Sequence, residues 1–369
     1  MKIERIDIYK IDIPVAYPAT VAIGSIDSAS NIMIKITADT GEYGWGEGSP
    51  FAPITGDSQA SNYETAQQLA VLLKGKNPLA IEVRVAEMNR FTVGESSIRC
   101  AFDIALYDLA AKVSGLPLYA FLGGEQRPIH TNLTIGLQET VEKTLERAEK
   151  ILAAGFKSIK MKTGRKHLED VAHVAAVRAL AGPDVLLKID SNQGWSYQDA
   201  VANIRAMENL DLMYSEQPIA AWDYDGLARL RKSVDLPICA DEAVFDDKDA
   251  LKLVKQGAVD YLNIKLGKSG GVSTALRINA IAEAAGCQCM IGCFAETRLA
   301  LTAAAHLAMA RPNIQFLDLD SAYKHLENPI IGGLVYAKDN CGLIRLPETP
   351  GHGAVYDEGA ISTTERVAI

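Results

Sequence analysis

The sequence predicts an α/β protein whose larger part is an eight-stranded parallel barrel, preceded by a smaller α+β unit. From residue 130 onward, short apolar stretches typical of buried parallel strands alternate with stretches of helical periodicity. Eight such strands begin at intervals of 24–28 residues, the length of one strand–helix unit, and a series of eight favours a barrel over an open sheet. The length of 369 residues agrees with two domains.

The first 125 residues predict strands followed by helices. Apolar residues alternate over 2–13 and 32–37, and residues 38–41 have the composition of a turn that leads into a third strand. Helical spacing follows over 63–73 and 97–114. This order of elements is typical of an α+β unit.

The barrel strands are separated by seven stretches with a helical pattern. We place the strands at residues 130–136, 158–162, 185–190, 213–216, 237–241, 261–266, 288–292 and 314–320. The remaining tail is rich in proline and glycine, so we expect loops and short strands that pack back on the first unit. The predicted division is therefore 1–125 for a capping unit, 126–322 for the barrel and 323–369 for the tail.

Composition excludes several classes of protein. The chain has 37 Lys and Arg against 46 Asp and Glu, a net charge of −9, which argues against a nucleic-acid partner because phosphate contacts need a basic face. No uncharged segment reaches the roughly 20 apolar residues of a membrane span, and no signal-peptide pattern follows Met1. We therefore expect a cytoplasmic protein with no membrane partner, and we expect a homo-oligomer.

Three of the six cysteines lie close together, at Cys287, Cys289 and Cys293. Only one and then three residues separate them and no histidine is near, whereas a structural zinc site needs four ligands at characteristic spacings. We interpret these cysteines as small, mostly apolar side chains.

Charged residues lie at the end of strand after strand of the predicted barrel. The carboxyl ends of barrel strands share one mouth, which is where active sites of this architecture are found. From the second strand to the eighth, the residues concerned are Lys160, Lys162, Asp190, Glu216, Asp241, Lys265, Glu296, Asp318 and Asp320.

Three of these acids, Asp190, Glu216 and Asp241, close neighbouring strands. Their carboxylates would repel one another unless a divalent cation lies between them, and oxygen-only donors favour Mg²⁺ over zinc. Lys162 and Lys265 belong to the second and sixth strands, which lie opposite each other in an eight-stranded barrel. This arrangement places one base on each side of a substrate held at the metal.

The chain resembles the enolase superfamily, in its muconate-lactonizing-enzyme subgroup. The resemblance implies a (β/α)₇β modified TIM barrel with a cap built from the N-terminal region and the C-terminal tail. It implies Asp190, Glu216 and Asp241 as Mg²⁺ ligands, and Lys162 and Lys265 as acid/base residues, with Lys160 as the electrostatic helper of Lys162. The motifs that carry the resemblance are Lys160-Met161-Lys162, Asp190, Glu216-Gln217-Pro218, Asp241-Glu242, Asn263-Ile264-Lys265, Lys268-Ser269-Gly270-Gly271 and, near the start, Gly44-Trp45-Gly46-Glu47.

The reaction within the subgroup is predicted from Asp318 and Asp320, which face the mouth by strand periodicity. An acidic pair at this place suits a free ammonium group and repels acidic or N-acylated substrates. Dipeptide epimerases of the subgroup carry an Asp-x-Asp here, so the resemblance implies a dipeptide substrate that is inverted at the α-carbon of its C-terminal residue. The alternatives are an N-acylamino acid racemase or o-succinylbenzoate synthase of the same subgroup, and a non-catalytic, metal-stabilised binding protein.

The remaining predictions concern the walls of the pocket. Their positions predict that three residues border the substrate: Thr134 on the first barrel strand, and Cys293 and Glu296 after the end of the seventh strand. We expect specificity loops near residues 15–26 and 50–58. Residues 15–26 and 50–56 are uncharged and apolar, and Asp27 and Asp57 lie only at the loop margins, so the loops predict hydrophobic dipeptides. His306 lies in an apolar helix, so we interpret it as a packed histidine rather than a base.

Overall fold

The cap is built on an antiparallel sheet of four strands, in the order Glu365–Ala368, Ile3–Val21, Gly24–Ala38 and Tyr43–Gly48. This computed structural model describes residues 1–22, 24–165, 168–337, 340, 342–360 and 365–369, and the backbone alone of residues 17–21 and 25–27. Five helices follow the first three strands, at Ala52–Thr55, Gln59–Leu73, Ile81–Phe91, Ser96–Val113 and Leu118–Phe121.

The helix Ser96–Val113 lies directly on the cap sheet because the facing strand has glycine at every second position. A Cβ atom at Gly44 or Gly46 would overlap a backbone carbonyl oxygen of this helix. Between these glycines, Trp45 points to the other side and packs against Tyr9 and Tyr356 with ring centroids 5.7 Å away in both cases. The two-residue period of the strand thus separates a close helix contact from an aromatic core.

The barrel is a curled parallel sheet of eight strands in chain order, and a parallel bridge between Thr131 and Leu317 joins its first and last strands. The strands are Leu133–Ile135, Ser158–Lys162, Leu186–Asp190, Leu212–Glu216, Ile238–Ala240, Tyr261–Ile264, Gln288–Ile291 and Ile314–Leu317. This confirms the predicted fold class, an α/β barrel with an α+β cap.

Helical segments connect the barrel strands in each of the seven gaps. They are Val141–Ala153, Glu169–Ala181, Tyr197–Met207 with a 3₁₀ turn at Glu208–Leu210, Tyr224–Ser233, Asp247–Gln256, Leu266–Ser269 with Val272–Ala284, and Arg298–Ala310. None of the helices in the described part of the chain is long and apolar enough to cross a membrane.

The tail returns to both parts of the molecule after a 3₁₀ turn at Ser321–Lys324. Its last strand joins the cap sheet beside Ile3–Val21. Its other strands form two small sheets, Ile330–Gly332 with Ala354–Tyr356, and Val335–Tyr336 with Leu343–Arg345 and Ile129–His130.

The segment 15–26 is not a loop, and that prediction was wrong. Pairing with the second strand is interrupted after Pro14 and resumes at Ala19, which pairs with Ile26, and it reaches the end of the hairpin, where Val21 pairs with Gly24. The segment is rich in β-branched and small residues, so it extends the ladder instead of leaving it. In the segment 50–58, residues Ala52–Thr55 form a short helix.

Two buried carboxylates of the cap accept hydrogen bonds from the barrel. Glu47 accepts hydrogen bonds from the backbone N–H groups of Thr297 and Ala300, at 2.8 and 3.0 Å, and so caps a barrel helix. Asp103 accepts bonds from Ser273 Oγ at 2.6 Å and from the N–H of Val272, at the start of another barrel helix. Burial raises the pKa of Asp103 to about 7 despite these bonds. The cap is thereby fixed over the barrel mouth.

Candidate active site

Three buried carboxylates meet at the mouth of the barrel. Asp190 and Glu216 are the last residues of the third and fourth strands and are paired in register, and Asp241 follows the fifth strand. Ligand oxygens of the three lie within 4.8 Å of one another, and all three side chains are buried. In the described part of the chain, this is the one group of acidic, histidine or cysteine side chains close enough to hold a metal ion.

The three carboxylates differ in protonation because their neighbours differ. Burial raises the pKa of Glu216 to about 7, and the charge of Asp190 adds to this rise. Burial also acts to raise the pKa of Asp190 and Asp241, but adjacent lysines outweigh it and hold both below the ordinary range. The cluster therefore attracts positive charge strongly.

Lys160 and Lys162 approach these acids from the second strand. Nζ of Lys160 lies 2.9 Å from Asp190 Oδ2, 2.8 Å from Glu216 Oε2 and 2.7 Å from Asp318 Oδ2. Burial acts to lower the pKa of Lys160, but the three carboxylates outweigh it and hold the pKa well above its usual value. Lys160 is therefore a permanent cation that links the acid cluster to Asp318.

The Lys162 side chain lies at one end of the row of acids. Its Nζ is 2.6 Å from Asp190 Oδ2 and 2.7 Å from Asn192 Oδ1. The backbone of Asn192 has a positive φ of 41°, which asparagine tolerates better than most residues. This turn lets the Asn192 side chain reach Lys162 while its N–H donates to Asp190 Oδ1 at 2.9 Å.

Lys265 lies at the other end of the row. Its Nζ is 2.7 Å from Asp241 Oδ2 and 4.8 Å from the centre of the Phe294 ring. Burial acts to lower the pKa of Lys265, but the charge of Asp241 outweighs it and raises the pKa. Lys162 and Lys265 thus contact opposite ends of the acid cluster, in agreement with their places on the second and sixth strands.

Lys268 does not face solvent. The short helix Leu266–Ser269 turns it inward, where its buried Nζ is 2.7 Å from Asp241 Oδ1 and 3.0 Å from the carbonyl oxygen of Asn263. Asp241 consequently carries one lysine on each carboxylate oxygen.

The acidic pair that follows the eighth strand is hydrogen-bonded to residues at the start of the first strand. Asn132 Nδ2 donates to Asp318 Oδ1 at 2.7 Å, and the N–H of Thr134 donates to Asp320 Oδ2 at 2.7 Å. Thr134 Oγ1 also lies 3.3 Å from Asp318 Oδ1. Burial acts to raise the pKa of Asp318, but Lys160 and then Lys188 outweigh it and lower the pKa. Asp318 is therefore a fixed anion close to Thr134.

In the segment that follows the seventh strand, a side chain is hydrogen-bonded to the backbone two residues earlier. Glu296 is buried and its Oε2 accepts a hydrogen bond from the N–H of Phe294, and burial raises its pKa to about 8. Burial likewise raises the pKa of the partly buried Cys293 thiol, which disfavours its thiolate form. The Phe294 ring lies 6.1 Å from the ring of Phe51 on the cap. An aromatic wall thus stands beside Lys265.

Several supporting residues escaped the prediction. Glu242 accepts a hydrogen bond from Asn192 Nδ2 at 2.9 Å, and Asn263 Nδ2 donates to Glu216 Oε1 at 2.8 Å. Lys188 is buried in the barrel, where burial lowers its pKa to about 8. The two-residue period of a strand could have predicted that Lys188 points into the barrel, as Asp190 does. It could not have predicted the position of Glu242.

His306 is buried and both ring nitrogens are engaged. Its Nδ1 accepts a hydrogen bond from the N–H of Tyr119 at 3.1 Å, and its Nε2 lies 3.2 Å from the carbonyl oxygen of His352. Burial lowers the pKa of His306 to about 3. These contacts agree with a packed histidine away from the acid cluster.

Two family sequence models match the chain over most of its length. Residues 5–123 match the mandelate racemase / muconate lactonizing enzyme N-terminal domain, and residues 143–360 match the enolase C-terminal domain-like family. The chain belongs to the enolase superfamily. The predicted resemblance to the muconate-lactonizing-enzyme subgroup is thereby confirmed.

Superfamily members similar to this chain include named epimerases. The hydrophobic dipeptide epimerase of Enterococcus faecalis is 39% identical over 96% of this chain and 99% of its own length. The L-Ala-D/L-Glu epimerase of Bacillus subtilis is 36% identical over 96% of this chain and 97% of its own length. The crystal structure of a dipeptide epimerase from Cytophaga hutchinsonii, complexed with Mg and D-Ala-L-Val, superposes with a TM-score of 0.97 at 36% identity, covering 100% of both chains.

Proposed function

We propose that this protein is a dipeptide epimerase that inverts the α-carbon of the substrate's C-terminal residue. The observation that carries the proposal is the row of three acids with Lys162 at one end and Lys265 at the other, linked to Asp318 through Lys160. Two lysines on opposite sides can remove a proton from one face of a carbon and return one to the other face. The named epimerases among the relatives support the same reaction.

The donor set of Asp190, Glu216 and Asp241 fits Mg²⁺. All ligand atoms are carboxylate oxygens and they lie within 4.8 Å of one another, which suits a hard divalent cation. When bound, Mg²⁺ supplies positive charge that stabilises the negative charge developing on the substrate's carboxylate as the α-proton leaves.

The lysines of this chain would then handle the proton. In one direction Lys162 accepts the α-proton and Lys265 donates a proton to the opposite face of the resulting enolate; in the other direction the roles are exchanged. Lys160 contributes a fixed positive charge between the acid cluster and Asp318, since it contacts both.

The substrate's free ammonium group would bind at Asp318 and Asp320. Both carboxylates are oriented by donors on the first strand, so the ammonium group meets acceptors that are already in place. A substrate that lacks the ammonium group loses this attraction.

We propose that the C-terminal side chain is hydrophobic. Phe51 and Phe294 offer an aromatic wall, and two of the described charged side chains, Asp57 and Arg165, are engaged by protein partners. Asp57 is buried and accepts hydrogen bonds from Asn62 Nδ2 at 3.0 Å and the N–H of Ser97 at 3.3 Å. Arg165, after the second strand, lies 2.9 Å from Asp170. Neither group is free to select a charged side chain.

A panel of dipeptides in D₂O tests the proposal. We expect deuterium at the α-carbon of the C-terminal residue, read by mass spectrometry, and a higher kcat/KM for Ala-Leu, Ala-Phe and Ala-Tyr than for Ala-Glu or Ala-Lys. A preference for Ala-Glu would contradict the hydrophobic pocket and leave the barrel chemistry intact. Exchange with no dipeptide, together with exchange of N-acylamino acids, would instead support the racemase alternative.

We also propose the division into a cap at 1–125, a barrel at 126–322 and a tail at 323–369, which the pairing of the last strand with the cap sheet supports. The cytoplasmic location and the homo-oligomer stay predictions.

A further inference from the structure

The turn after the eighth strand carries a lysine that points back at the acidic pair. Nζ of Lys324 lies 2.8 Å from Oδ2 of Asp320, four residues earlier in the chain. The N–H of Thr134 donates to the same oxygen at 2.7 Å. One oxygen of Asp320 is therefore fully engaged before any substrate arrives.

The backbone that carries Lys324 is held in place. The N–H of Tyr323 donates to the carbonyl oxygen of Asp320 at 3.1 Å. The Tyr323 ring packs edge-on against Phe156 and Tyr336, with centroids 5.4 and 5.7 Å away. The Lys324 side chain is 22% exposed, so its ion pair with Asp320 is partly shielded from solvent and retains much of its strength.

The other oxygen of Asp320 is the least engaged oxygen of the acidic pair. Each oxygen of Asp318 already has a close partner, Asn132 for Oδ1 and Lys160 for Oδ2. Among the residues that the structure describes, none donates a hydrogen bond to Oδ1 of Asp320. A substrate ammonium group at that oxygen would share the carboxylate with Lys324, and the two positive charges would repel each other.

We propose that Lys324 is a specificity-determining residue, which partly neutralises Asp320 and so limits how strongly the site prefers a free ammonium group to a neutral N-acyl group. The proposal rests on the proposed function, since it concerns the ammonium subsite of that reaction. Lys324 acts through Asp320 and does not touch the reacting carbon.

The test compares two substrates that differ only in the ammonium group, Ala-Phe and N-propionyl-phenylalanine. In Lys324→Met the ratio of kcat/KM for Ala-Phe to that for N-propionyl-phenylalanine should rise about tenfold, mostly through a lower KM for Ala-Phe. Lys324→Arg should keep the wild-type ratio because it keeps the charge. Lys143→Met, which removes an exposed lysine paired with Glu139 four residues away, serves as the matched control.

The outcomes separate this inference from the function on which it rests. If the wild type is active on Ala-Phe but the kcat/KM ratio of Ala-Phe to N-propionyl-phenylalanine is unchanged or lower in a folded Lys324→Met protein, the inference alone is overturned. An equal loss of kcat/KM on both substrates would mean that Lys324 only orients the turn. A wild type that epimerises neither substrate nor any other dipeptide would overturn the proposed function, and the inference with it.

Discussion

Replacing Lys268 by methionine removes a cation that is buried against Asp241 and leaves the side-chain volume nearly unchanged. Its Nζ donates to Asp241 Oδ1 at 2.7 Å and to the carbonyl oxygen of Asn263 at 3.0 Å. Breaking a buried ion pair from one side costs about 3–5 kcal/mol, because the remaining charge stays buried without its partner. Lys265 still faces Asp241 Oδ2, so we expect the lower end of this range, about 3 kcal/mol.

The unfolding entropy is about 2.1 cal/mol/K per residue, so for a chain of 369 residues a loss of about 3 kcal/mol corresponds to a fall in Tm of roughly 4 °C. Differential scanning calorimetry without added metal measures it, with Lys255→Met on an exposed helix position as the control. Added Mg²⁺ should raise the Tm of Lys268→Met more than that of the wild type, because the variant's acid cluster carries one more uncompensated negative charge. A Tm within about 2 °C of wild type would show that Lys268 does not compensate Asp241.

Three further results are expected. Chelation should abolish turnover, measured as epimerisation rate, and Mg²⁺ should restore it. Asp190→Asn should stay inactive at Mg²⁺ concentrations that saturate the wild type. Restoration by Zn²⁺ alone would contradict the assignment of the three acids as a Mg²⁺ site. Lys162→Ala and Lys265→Ala should each lose epimerisation yet exchange the α-proton of one epimer only, read by NMR in D₂O; equal exchange of both epimers in both variants would contradict the two-base geometry. Burial raises the pKa of Asp103 to about 7, above its value near 3.9 in the unfolded chain, so the folded state binds this proton more tightly and loses stability as pH rises from about 4 to 7. In Asp103→Asn the free energy of unfolding, measured by urea unfolding, should fall less between about pH 4 and pH 7 than in the wild type. An unchanged dependence on pH would show that another group causes the fall.

The sequence was a good guide to the barrel because its strands are short, apolar and regularly spaced. The second strand, Ser158–Lys162, has the predicted bounds, and the acids that end the next strands meet as strand register requires. The helix Ile81–Phe91 was not predicted, because its apolar face is short, and no side chain caps its first turn. Hydrophobic periodicity is therefore a weaker predictor of a helix when the buried face of that helix contains few apolar residues.

Local turns decided most of what the sequence could not predict. Lys268 points inward because the helix Leu266–Ser269 is a single turn, and Lys324 points back because a 3₁₀ turn follows Asp320. The hairpin near residues 15–26 was predicted as a loop, although strand pairing resumes beyond Pro14. Periodicity places side chains on regular elements, but it carries no information on the direction of a side chain in a one-turn segment.

The buried carboxylate of Glu47 has a consequence for how chains of this kind can be recombined. Three of its four hydrogen bonds come from barrel residues, two from Thr297 and one from Ala300, and the fourth comes from Asn31 of the cap. A cap joined to a foreign barrel that lacks matching donors would bury this charge without partners, at a cost of several kcal/mol. Cap and barrel are therefore a matched pair in this protein, and we expect a new substrate preference to be reached more readily by point substitution around the mouth than by exchanging the whole cap.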